Sequence, residues 1–241
     1  MKASLASRRA SAWAVAAALV FPTLLAAIYF VWLAGSRPVV QRGVYATCKV
    51  VQFAFPLVWV FGAQRRRPAR SRPGTAGVAE GLLFGAVVFA LAVAVYHLAL
   101  RPTGLLAPAA EPVRDKIASF GVDTLVKYAV LGAFLSGIHS LLEEYYWRWF
   151  CFGELQRLIP WKPAVVVSSL GFMGHHVIVL ATYFGWLSAA TWLFSLAVAM
   201  GGAYWAWLYR RSGSLVGPWL GHLLVDVAVF VVGYDLVGGL R

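Results

Sequence analysis

The sequence predicts an all-α protein, a polytopic bundle of about seven transmembrane helices, with six to eight as the range. Three observations predict it. The chain is 61% hydrophobic, with a mean hydropathy of +0.74. Only 12% of its 241 residues are charged, against about 25% in soluble domains. The apolar residues are gathered into runs long enough to cross a bilayer, which takes about 20 residues of helix.

The first run, about 12–34, follows Lys2, Arg8 and Arg9. A signal peptide has an apolar core of roughly 7–15 residues, so this longer run reads as a retained span. Further runs lie at about 44–62, 82–100, 122–145, 163–181, 186–209 and 216–238. The basic stretch QRRRPARSRPG at 64–74 separates the second from the third. The segment 102–118 is the longest outer loop, and PVRDKIASF, which begins within it at Pro112, is expected as a short interfacial helix. Residues 1–120 carry no chemical motif, whereas residues 121–241 carry several. The two parts are expected to form one integral membrane domain, with its core between the helices.

The formal charge of +12 does not point to nucleic acid, because the basic residues gather in short loops. The positive-inside rule explains them better. With the N-terminus in the cytoplasm, the inside set is Lys2, Arg8, Arg9, Arg65, Arg66, Arg67, Arg70, Arg72, Arg148, Arg157, Lys162, Arg210 and Arg211. The outside set is the shorter: Arg37, Arg42, Arg101, Arg114, Lys116 and Arg241. The expected location is a cell membrane, N-terminus inside. Cys48 and Cys151 fall toward opposite faces and are not expected to form a disulfide. No Cys/His spacing suggests structural zinc.

Three runs contain candidate chemistry. The fourth ends in HSLLEEYYWRWF. Carboxylates at membrane depth are costly and usually functional, and the chain has only 9 acidic residues. Glu144 and Arg148 are i,i+4 neighbours with the acid N-terminal, the favourable order. Glu143 points about 100° away, and its i−4 neighbour is His139. Glu143 can therefore face the bundle interior as a general base, or the group can be an interfacial salt-bridge patch. The fifth run carries SSLGFMGHHVIVL. His175 and His176 lie in an apolar helix, with Phe172 one turn before His176. Gly171 and Gly174 allow close helix approach. The seventh carries RRSGSLVGPWLGHLLVD. Ser214 is the expected N-cap, with Pro218 in the first turn. Gly217 and Gly221 form a GxxxG face, and His222 and Asp226 are i,i+4 neighbours. A carboxylate and two histidines on three helices are a sufficient kit for water activation and amide hydrolysis.

The motifs EEYYWR, FMGHH and HLLVD, in this order on three apolar helices, resemble EExxxR, FxxxH and HxxxN/D of the CPBP family. That family comprises type II CAAX prenyl endopeptidases, the Abi (bacteriocin-processing) proteins and lysostaphin-resistance-protein-A-like proteins. The resemblance spans roughly residues 125–235. It implies an intramembrane glutamic endopeptidase acting on a peptide or protein substrate at the membrane, with no covalent intermediate and no obligatory metal. Glu143 and His176 would activate water. Glu144, Arg148 and Phe172 would shape the site. His222 and Asp226 would stabilise the oxyanion. The FxxxH spacing selects His176 over His175. Asp226 departs from Asn: ionised, it cannot donate to an oxyanion, so it either carries a proton or orients His222.

Two alternatives compete. In one, Glu143, His176, His222 and Asp226 bind a catalytic zinc, although HExxH is lacking. In the other, the protein is a non-catalytic immunity factor or scaffold. A transporter is disfavoured, since no repeated halves or paired broken helices are apparent.

Overall fold

The structure, a computed structural model, describes residues 5–66 and 75–239. Lys2, Arg67, Arg70, Arg72 and Arg241, used above for orientation, lie outside the described residues.

Seven helices are long and apolar enough to cross a membrane, and no strand occurs among the described residues. They are α1 (Arg8–Trp32), α2 (Pro38–Ala63), α3 (Val78–Thr103), α5 (Leu125–Leu158), α6 (Trp161–Phe184), α7 (Ala189–Ser212) and α8 (Val216–Leu236). The short α4 (Ala107–Ser119) is the eighth helix and contains most of the expected interfacial segment. The chain is thus a multi-pass integral membrane protein.

The helix that carries the glutamates differs most from its expected bounds. The fourth apolar run was expected to end near 145, but α5 continues to Leu158. Aromatic residues keep it buried: Tyr146, Trp147, Phe150 and Phe152 are all nearly inaccessible. The glutamates therefore lie within the helix rather than at its exit. Arg148, assigned to an inside loop, is a buried residue of α5. Arg157 also belongs to α5, and Arg210 and Arg211 to the last turn of α7. The start of α5 is firmly set. Thr124 accepts the backbone N–H of Lys127, whose ammonium pairs with Asp123 at 2.7 Å and holds that exposed carboxyl below its usual range.

Along α5 the winding changes. Phe134–His139 and Tyr145–Phe152 are π-helical, and Ser140–Glu144 between them is α-helical. Wide turns of this kind leave backbone groups that need partners and often accompany functional sites. Here the Trp219 indole of α8 donates to the Gly137 carbonyl at 2.8 Å.

Glycines set the closest helix approach, between α3 and α8. A Cβ on Gly81 would lie 2.0 Å from the Gly217 carbonyl oxygen, and one on Gly217 would lie 2.2 Å from that of Gly77. The pattern continues at Gly85, facing Gly221. The GxxxG face of α8 thus meets a glycine row on the helix that showed no motif, and backbones touch where side chains would keep them apart. On the far side of the site, Gly174 of α6 abuts Thr23 of α1, and Gly171 sits against Trp147. Helices from both sides of residue 120 therefore pack directly on one another.

The start of α8 differs slightly from expectation. Leu215 occupies the cap position, and Ser214, one residue earlier, accepts the Val216 N–H at 3.2 Å. Pro218 is in the first turn. Cys48 and Cys151 are both free.

Candidate active site

Glu143 and Glu144 lie side by side in the α-helical turn of α5, and both are buried. Their neighbours differ, as the 100° step between consecutive helical residues requires.

Glu144 is tightly held. Its Oε1 is 2.8 Å from His222 Nδ1 on α8, and its Oε2 is 3.1 Å from Arg148 Nε one turn on. The Arg148 contact is ionic rather than a directed hydrogen bond, since neither Arg148 Nε nor Glu144 Oε2 makes a hydrogen bond of good geometry. The guanidinium instead stacks over Phe172 at 4.6 Å and Trp205 at 5.1 Å from the ring centroids. Burying an arginine between rings, opposite a carboxylate, is a packing that its flat cation permits.

Glu143 is loosely held. Three imidazoles surround it at more than hydrogen-bond length: His175 Nε2 at 3.6 Å, His222 Nε2 at 3.8 Å and His139 Nδ1 at 3.9 Å. They come from α6, α8 and the preceding turn of α5. A carboxylate with basic nitrogens close by, none bonded to it, keeps lone pairs available for a reacting molecule.

The two adjacent histidines of α6 have different partners. His176 Nδ1 bonds the Phe172 carbonyl at 2.9 Å. A carbonyl only accepts, so Nδ1 carries the proton and Nε2 is left as an acceptor. His175 stacks on Trp147 with planes 5° apart and is the one in contact with Glu143. The rings of His175 and His176 are 4.1 Å apart.

Phe172 lies at the centre. It meets His175, His176 and His222 edge-on and supports Arg148 from below. Trp205 of α7 stacks on His222 at 4.3 Å, so this imidazole is fixed by a ring on one side and Glu144 on the other. Asp226, one turn beyond His222, stands 3.7 Å from its Nε2. With 28% of its side chain accessible, Asp226 is the most open carboxylate of the group.

Each predicted i,i+4 pair is therefore in contact, and α5, α6 and α8 bring Glu143, Glu144, Arg148, Phe172, His175, His222 and Asp226 to one place. His176 lies beside them but makes no ion-pair contact with Glu143. Sequence reasoning assigned no role to Trp205, Trp147 or Lys49. The indoles gave no signal beyond their abundance. Lys49 had one: it is a lysine in the middle of an apolar run. Among the described residues no group of three or more His, Cys, Asp or Glu side chains is arranged to hold a metal ion.

Residues 125–228 match the family model described as type II CAAX prenyl endopeptidase Rce1-like, which covers somewhat less than half of the chain. No curated protein and no solved structure gives a match. The matched segment begins with α5 and ends within α8, so it contains every site residue above except those of α1–α3. Over this segment the chain is similar to type II CAAX prenyl endopeptidases, and its seven long apolar helices suit a lipid bilayer.

Proposed function

We propose that this protein cleaves peptide bonds of CAAX-type, membrane-associated substrates with a water molecule activated by Glu143. The observation that carries the reading is the contrast between the two glutamates: Glu144 is engaged by Arg148 and His222, and Glu143 is surrounded by imidazoles without being bonded to one.

In the proposed reaction Glu143 accepts a proton from water as the water oxygen forms a bond to the scissile carbonyl carbon. His176 Nε2, the acceptor nitrogen left by the Nδ1 bond, takes a hydrogen bond from the same water. A proton on His222 Nε2, added to the Nδ1–H given to Glu144, makes this ring a donor to the oxyanion. Asp226, close to the same nitrogen, orients that donor. Collapse of the tetrahedral intermediate breaks the C–N bond, and the proton held by Glu143 passes to the leaving amine. Nothing in this sequence of steps needs a metal.

The test is hydrolysis of a farnesyl-cysteine peptide ending in three further residues by the purified full-length protein in lipid nanodiscs, followed by mass spectrometry. Cleavage is expected, and it is expected to survive chelation. Loss on chelation with recovery on added zinc returns the zinc reading. His176→Ala should lower kcat about 100-fold, and His175→Ala by much less. The reverse order would transfer the water contact to His175. Absence of cleavage in any lipid would favour the non-catalytic alternative.

A further inference from the structure

Lys49 of α2 has no place in the reaction just described, and its position is unusual. It lies near the middle of a 26-residue span. A lysine at that depth is costly and marks a functional position by default. Among the described residues its ammonium has no hydrogen bond and no carboxylate within the 4.0 Å of an ion pair. It is flanked by its own i−4 and i+4 neighbours, at 5.7 Å from the Tyr45 ring centroid and 5.3 Å from that of Phe53. These three residues form one face of α2.

That face looks toward Glu143. The Phe53 ring meets His139 edge-on, and the His139 imidazole touches Glu143. Phe53 also packs on Tyr146 of α5, and its carbonyl accepts the Tyr145 hydroxyl. Lys49 interacts electrostatically with Glu143, His139 and His175. An ammonium without a carboxylate partner is thus held with the Phe53 ring and the His139 imidazole between it and the base, on a wall of the site supplied by the motif-free half of the chain.

A CAAX sequence ends its chain three residues after the cysteine. Whichever of its bonds is cut, the free α-carboxylate lies within about 10 Å of the reacting carbonyl. An anion so close to Glu143 needs a counter-charge in a medium where unpaired charges are penalised. We propose that Lys49 is that counter-charge: it forms the subsite for the C-terminal carboxylate of the substrate and sets the distance from chain end to scissile bond. This rests on the CAAX-type reading given above.

The test compares two farnesylated peptides of one sequence, one a C-terminal acid and the other its amide. Full-length protein in nanodiscs is used with and without Lys49→Met and Lys49→Arg. In the cleavage assay the unsubstituted enzyme should prefer the acid by about 10- to 100-fold, mostly through KM, as for a charge-assisted bond. Lys49→Met should reduce that ratio to near one, and Lys49→Arg should retain most of it. A second arm measures fluorescence anisotropy of labelled acid and amide binding to Glu143→Gln protein, and needs no turnover. The same preference and the same dependence on Lys49 are expected there. If the peptides are never cleaved but bind with that pattern, the catalytic reading fails and the carboxylate subsite stands. If no acid preference exists, or if it survives Lys49→Met, the subsite is overturned, whether or not cleavage occurs.

Discussion

Glu143 and Glu154 are both buried carboxylates on α5, about three turns apart, and their surroundings are opposite. Glu154 is closed off by partners. Gln64 donates to it at 2.8 Å, Arg66 makes a short ion pair with it, and Arg157 lies 3.6 Å away. Gln64 also reaches Ser11, so this cluster ties the end of α2 to α1 and α5. Glu143 has more basic nitrogens nearby but bonds none of them. Burial and charge are common to both positions and do not separate a latch from a site. The separating property is whether the acceptor capacity of the carboxylate is used up by the fold. At Glu154 it is used; at Glu143 it is held open by rings that pack rather than bond.

The largest expected effect breaks the comparison at its open end. Glu143→Gln should reduce kcat by about 1000-fold or more with little change in thermal unfolding, since no hydrogen bond is lost. A variant that unfolds early, or one that retains cleavage, would put Glu143 with Glu154 as a structural acid.

Glu144→Ala is expected to act through stability. It leaves Arg148, which is only 2% exposed, without its counter-charge, and breaking a buried pair costs about 3–5 kcal/mol. Loss of folded protein in a detergent melt, rescued in part by also replacing Arg148 with Met, is the result to look for. Equal melts for the two glutamate variants would erase the distinction between them.

Gly81→Val tests whether the motif-free half positions the site. The added atoms meet the Gly217 backbone, which cannot yield as a side chain would. Overpacking of this kind costs about 1–3 kcal/mol, and α8 carries His222, so activity should fall with the melt. Unchanged activity would show that the α3–α8 contact does not register the site.

The smallest effect is expected at the closed end. Glu154→Gln should lower stability by about 1 kcal/mol, since Arg66 is partly solvated, and should change kcat by less than about threefold. A large catalytic loss there would mean that the latch and the site are coupled along α5.

The seven spans were legible because the cost of exposing backbone in lipid forces long helices, and hydropathy records it. The pairs Glu144–Arg148 and His222–Asp226 were legible because a helix brings residues four apart together whatever surrounds it. The length of α5 was not, since YYWRWF reads as an interfacial exit until Trp147 and Phe150 are seen buried against α6 and α2. Nor could spacing show that Glu144 is the short-range partner of His222. That contact spans 78 residues and depends on how α5 and α8 are rotated.

The order of helices, the acid–base composition of the site and its local pairs are all written in the chain, because 3.6-residue periodicity and bilayer thickness act on neighbouring residues alone. Which histidine touches Glu143, which glutamate holds His222, and the presence of Lys49 on the wall are set by helix rotation and approach. Those depend on glycine contacts such as Gly81 with Gly217 and Gly174 with Thr23, made between distant segments that no local pattern can pair in advance.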